Sequence, residues 1–68
     1  MQKAVREFGK KVKKIRLSKN MSQGDMAKIL GTHRTYISGV ERGTRNPSLI
    51  TMGKIAKALK IKPDELLK

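Results

Sequence analysis

The chain of 68 residues has no cysteine, no tryptophan, one tyrosine, one phenylalanine, one histidine and only five acidic residues. Each scarcity excludes something. Without cysteine, neither a disulfide nor a thiolate metal site can brace the fold. A lone histidine without a paired Asp or Glu gives neither a metal site nor an acid–base couple. There is no nucleophile elbow and no glycine-rich phosphate loop, and so short a chain has little room for a cleft. No enzyme, no metal and no cofactor is therefore expected. One tyrosine and one phenylalanine offer little on which to stack bases, which argues against RNA. No apolar run reaches the ~18 residues of a membrane span, and no apolar signal segment follows the basic N-terminus. The expectation is a cytoplasmic protein without a membrane segment.

Positive charge is what the chain has in excess. Seventeen Lys and Arg give a formal net charge of +12. Such a chain repels itself when compact and attracts polyanions. The excess is uneven: +7 over residues 1–20, +2 over 21–47 and +3 over 48–68. Residues 1–68 make one domain at most, with a small core. Marginal stability, or help from a partner chain, is expected.

Apolar spacing gives helices throughout, and no stretch alternates as a strand would. Val5, Phe8, Val12 and Ile15 form one face of a helix over about 3–19, with Lys3, Arg6, Lys10, Lys11, Lys13 and Lys14 on the others. Gly9 weakens that helix by about 1 kcal/mol relative to Ala, and its missing side chain admits close packing. Asn20 can end the helix in the left-handed conformation. Ser22 with Asp25 reads as an N-cap with an acid at the third position, opening a helix over 23–30. Thr32 is expected to cap a third helix over 33–41, and Gly43 to end it. Pro47 pushes Asn46 out of the α region, so 44–47 is a loop. Ser48 caps a fourth helix with Leu49, Met52, Ile55, Ala56 and Leu59 on one face. Pro63 opens a short fifth, with Asp64 and Glu65 favouring its N-terminus.

The stretch Gln23–Arg42 (QGDMAKILGTHRTYISGVER) reads as two short helices at a sharp angle. Ala27 suits a close helix crossing, and Gly31 suits a turn with φ > 0. Met26, Leu30, Ile37 and Val40 face inward. His33, Arg34, Thr35, Ser38 and Gly39 remain outward: a small, polar, donor-rich face suited to a major groove.

These residues resemble the phage-repressor and Cro-like helix-turn-helix family. The matching pieces are GKKVKKIR, MSQGDMAKILG, RTYISGVERGTRNPSL and IAKALKIKPDELL, with special similarity to controller proteins of restriction–modification operons. The resemblance implies an all-α, five-helix domain of the lambda-repressor type, with the helix-turn-helix at helices 2 and 3. It also implies a homodimer on operator DNA. Three positions depart from the family pattern: Gly24 where Glu or Gln is usual, Gly53 inside helix four, and Lys62 in place of a capping Ser or Thr.

The base readers expected are Arg34, Thr35, Ser38, His33 and Gly39. A guanidinium in the first turn of the recognition helix can bond guanine O6 and N7 together, giving about 1–3 kcal/mol of discrimination. Thr35 offers a methyl or a hydroxyl, and Gly39 would let the helix sit deep. Backbone contacts are expected from Gln23, at a helix N-terminus whose N–H groups suit a phosphate, and from Tyr36, Arg42, Arg45 and Asn46. By the resemblance, Arg16 and Glu41 form a structural ion pair between helices one and three. Leu59, Ile61, Leu66 and Leu67 are the candidates for a dimer contact, the alternative being intramolecular core. The leading function is a dimeric, sequence-specific transcriptional regulator of double-stranded DNA on a near-palindromic site. An antitoxin-like autorepressor with a protein partner is one rival. A cationic amphipathic membrane-binding protein is another, although capped turns over 22–48 have no reason to exist in that case.

Overall fold

The apolar spacings become five helices in the computed structural model, which describes residues 2–67. They are α1 (Gln2–Ser18), α2 (Gln23–Leu30), α3 (Arg34–Arg42), α4 (Leu49–Ala58) and α5 (Pro63–Leu67). No strand occurs among the described residues. α3 packs on both α1 and α2, α4 bridges α2 and α5, and α5 closes back onto α1. Phe8 and Val12 of α1 meet Met26 and Ala27 of α2, Ile37 and Val40 of α3, Ile55, Ala56 and Leu59, and Leu66 in one buried cluster.

One backbone device ends the first four helices. At Asn20 (φ 57°), Gly31 (φ 66°), Gly43 (φ 78°) and Lys60 (φ 59°) the chain enters the left-handed region. The residue after each donates back to a carbonyl five positions earlier: Met21 to Arg16, Thr32 to Ala27, Thr44 to Gly39 and Ile61 to Ala56. This is the Schellman pattern, which satisfies carbonyls the helix leaves orphaned. Lys60 is the costly member, because a Cβ disfavours this conformation by roughly 1–2 kcal/mol.

Helix starts follow the expected caps with one correction. Ser22 Oγ accepts the Asp25 N–H and Asp25 Oδ2 accepts the Ser22 N–H, both at 2.9 Å, a complete capping box. Ser48 Oγ accepts the Thr51 N–H at 3.1 Å. Lys62 lacks a side-chain acceptor, yet Glu65 Oε2 accepts its backbone N–H at 2.9 Å. Thr32, however, does not cap α3. It is drawn into the α2 stop by its bond to Ala27, so His33 becomes the N-cap, without a side-chain hydrogen bond. Leu49 also departs from expectation: it is 80% exposed. The buried row on α4 begins further along, and among the described residues nothing covers Leu49 or Ile50 of the first turn.

Gly9 sets how closely α1 and α3 approach. A Cβ there would lie 2.8 Å from the Glu41 carbonyl oxygen and closer still to that of Val40. Backbone therefore meets backbone at the α1–α3 crossing.

Candidate nucleic-acid interface

α3 has a sharply divided surface. Ile37, Val40 and Glu41 are buried, while Arg34, Thr35 and Arg42 are exposed and Ser38 is half-buried. Positions 34, 35, 38 and 42 share one helical face, since residues three and four apart are neighbours. His33, at the N-cap, is exposed beside them. Among the described residues, no intramolecular hydrogen bond engages the side chains of His33, Arg34, Thr35 or Ser38. Their donors and acceptors are open to an outside partner.

Gly39 does not belong to that face, which corrects the sequence reading. It is buried, and a Cβ there would lie 2.6 Å from Arg45 Cγ and 3.3 Å from Thr44 Oγ1. Its carbonyl accepts the Thr44 and Arg45 N–H groups and the Thr44 hydroxyl. Small size at position 39 seats the loop after α3, and with it the Arg45 stem. Tyr36 is half-buried, with its ring against the core cluster. Arg45 and Asn46 are exposed on the loop, and Arg42 Nε donates to the Ser38 carbonyl at 3.4 Å.

Behind α3 lies a buried polar network. Arg16 Nε donates to Glu41 Oε2 at 2.6 Å and Arg16 Nη2 to Glu41 Oε1 at 3.1 Å. Arg16 Nη1 donates to the Met21 carbonyl at 2.7 Å, which ties the end of α1 into the same network. Arg16 and Glu41 are 6% and 7% exposed, and among the described residues no buried side-chain polar atom lacks a partner. Such a pair, fully hydrogen-bonded, is where removing one partner costs about 3–5 kcal/mol.

Gln23 takes a position the sequence did not suggest. Its Nε2 donates to Glu41 Oε1 at 3.1 Å. One amide proton is thereby engaged and the other remains free. At the same helix start, the Ser22 backbone N–H holds the Asp25 carboxyl below its ordinary value, aided by the Ser22 side chain and Lys28.

The proposed dimer residues divide. Leu59 and Leu66 are core, 0% and 2% exposed, and present no surface to a second copy. Ile61 is half-buried against the core, and Leu67 is 62% exposed. Residues the sequence reading missed stand out more: Leu49 and Ile50 are 80% and 74% exposed in the first turn of α4. The available signal was for Ile50 alone, which lies off the face of Leu49, Met52, Ile55, Ala56 and Leu59; helical spacing did not mark Leu49 as exposed. Among the described residues, no His, Cys, Asp and Glu cluster could hold a metal ion. No helix among the described residues is long and apolar enough to cross a membrane.

Known proteins share this arrangement. The sequence matches the helix-turn-helix family over residues 12–66. The control protein C.BamHI of Bacillus amyloliquefaciens is 59% identical over 61 residues, covering 88% of this chain and 75% of that protein. The crystal structure of the restriction-modification controller protein C.AhdI from Aeromonas hydrophila matches with TM-score 0.88 and 44% identity, covering 91% of this chain and 94% of the other. The controller protein C.Esp1396I, solved as a tetramer in complex with its natural 35 base-pair operator, matches with TM-score 0.81 and 36% identity over 96% of each chain. With the α2–turn–α3 geometry and a match over most of its length, this chain belongs to the helix-turn-helix family.

Proposed function

We propose that the chain is a sequence-specific DNA-binding transcriptional regulator that acts as a homodimer on a near-palindromic operator, each copy contributing one DNA-binding domain. The observation that carries this reading is the outward face of α3, where Arg34, Thr35 and Ser38 stand with unengaged polar groups. The N-terminal part of such a helix contacts base edges when it enters a major groove. Arg34 reads a guanine, and Thr35 and Ser38 contact a thymine methyl, a base or a phosphate. His33 borders the same contact. Arg42, Arg45, Asn46 and the free amide proton of Gln23 meet the phosphate backbone, which positions the helix without reading sequence. Tyr36 packs its ring against the core, and its phenol reaches a phosphate.

Dimensions are consistent with dimeric action. The domain measures 28 × 23 × 21 Å. Half-sites facing one side of a duplex are about 34 Å apart, one helical turn. A single copy therefore reaches one half-site. Leu67 and the exposed part of Ile61, with Leu49 and Ile50, form the contact between copies, in place of the buried Leu59 and Leu66. The operator complex of C.Esp1396I supports double-stranded DNA as the partner. The membrane reading loses its basis, since Phe8 and Val12, the apolar side of α1, are buried in the core. A regulator of operator DNA acts in the prokaryotic cytoplasm.

Selection of binding sites from random duplexes tests the proposal. A near-symmetric site, preferred over random DNA by ~10³-fold or more at physiological salt, is the expected result. Equal affinity for all duplexes would overturn it.

A further inference from the structure

We infer that Arg6, on α1, joins Arg42 and Arg45 in gripping a DNA phosphodiester beyond the C-terminal end of α3. This rests on the operator reading and adds to it a contact from a helix that had none assigned. The three arginines line an open depression of about 560 Å³ together with Val5, Gly43, Thr44 and Asn46. No carboxylate lines it. Among the described residues the one ion pair is Arg16–Glu41, so none of the three guanidiniums has an acidic partner. Three like charges around one concavity repel each other, and a bound anion relieves that repulsion. A phosphodiester fits the planar, forked donors of guanidinium better than a point charge would.

The position of Arg6 is fixed by backbone rather than chance. A Cβ on Gly43 would collide with Arg6 Cγ and lie 3.0 Å from Arg6 Cα. α1 therefore crosses directly over the α3 stop, and the Arg6 stem rests on Gly43. Glycine at 43 serves both the left-handed turn and this crossing. Arg42 is partly anchored as well, through its bond to the Ser38 carbonyl. A guanidinium has five N–H donors, so one such bond leaves four for phosphate. The depression also adjoins Arg45 and Asn46, the loop residues that run along the DNA backbone in the proposed complex. Arg6 thus extends the phosphate track from the loop onto α1.

The test compares wild type, Arg6→Gln and Arg6→Lys on the selected site and on a random duplex across a salt series, with thermal melts to confirm folding. One lost phosphate contact lowers the slope of log K against log salt by about 0.9. Between about 50 and 200 mM salt, wild type should therefore lose roughly 3.5-fold more affinity than Arg6→Gln. Arg6→Lys should keep the wild-type slope, and the preference for the selected site should be the same in all three. Arg6→Met, which keeps the stem on Gly43, replaces Arg6→Gln if that variant folds poorly, with the same expectation. A wild-type slope in the neutral variant, or an altered base preference, overturns this assignment while the operator reading stands. A wild type that prefers no duplex overturns the operator reading and removes the basis of this one.

Discussion

The α1–α3 seam and the α4–α5 end are built to different standards. At the seam, Gly9 brings two backbones into contact, and Arg16, Glu41, Gln23 and Met21 share a polar network with the Arg16–Glu41 pair buried at its centre. At the other end, Gly53 faces open space, Lys60 takes a conformation that suits glycine, and Leu49, Ile50 and Leu67 are exposed. In the proposed complex the difference matches the work each region would do. A recognition helix must hold its side chains at fixed positions relative to base edges, and rigid support from behind achieves that. The α4–α5 end leaves apolar surface uncovered, as a protomer does when a second copy completes it.

The largest effects should come from the seam. Arg16→Ala strands the Glu41 carboxylate in the interior and should lower stability by about 3–5 kcal/mol, read as a large fall in melting temperature. Unchanged stability with weakened DNA binding would make Arg16 a DNA ligand and break the comparison. Gly9→Ala should act in the same direction, since backbone oxygens cannot yield as a side chain can; about 3 kcal/mol is expected.

The α4–α5 end should respond differently. Replacing Leu49 and Ile50 together by Ser should weaken self-association by tenfold or more, about 1.4 kcal/mol, in sedimentation velocity. The monomer's own core should be untouched. A variant that dimerises as wild type does would move the contact elsewhere. Gly53→Ala should stabilise the domain by about 1 kcal/mol, because no neighbour lies within 4 Å of the added Cβ and Ala is the better helix former. Destabilisation there would mean that the end is as tightly built as the seam.

The smallest effect concerns acid. The Asp25 carboxyl is held below its ordinary value by the Ser22 N–H. A carboxyl with a depressed folded pKa stabilises above its unfolded pKa, and that contribution is lost as pH falls through the folded value. Asp25→Asn should therefore flatten the acid limb of the stability–pH curve slightly, measured by denaturant titration below neutrality. An unaltered acid limb would detach the capping box from stability.

Much of this architecture was legible because local rules and tertiary packing agree. Asn20, Gly31, Gly43, Ser48 and Pro63 each carry a backbone preference, and each stands where that preference is used. The failures have physical causes. Thr32 resembles a cap, but its N–H is claimed by the preceding helix through Ala27. Gly39 resembles a gap left for DNA, and only the folded loop reveals that Arg45 and Thr44 fill it. Leu59 and Leu66 could not be told from surface leucines, because helical spacing marks an apolar face without saying what covers it. Arg6 was indistinguishable from its neighbouring lysines until α1 was seen to cross the α3 stop.

In the proposed complex the outward side of α3 reads nucleobases through Arg34. Binding of wild type and Arg34→Ala to the selected site and to each of its single-base variants puts this to the test. The prediction is that Arg34→Ala loses about 1–3 kcal/mol of discrimination at one base pair per half-site and keeps it at the others. The same profile of base preferences in both proteins would mean that Arg34 is not the reader.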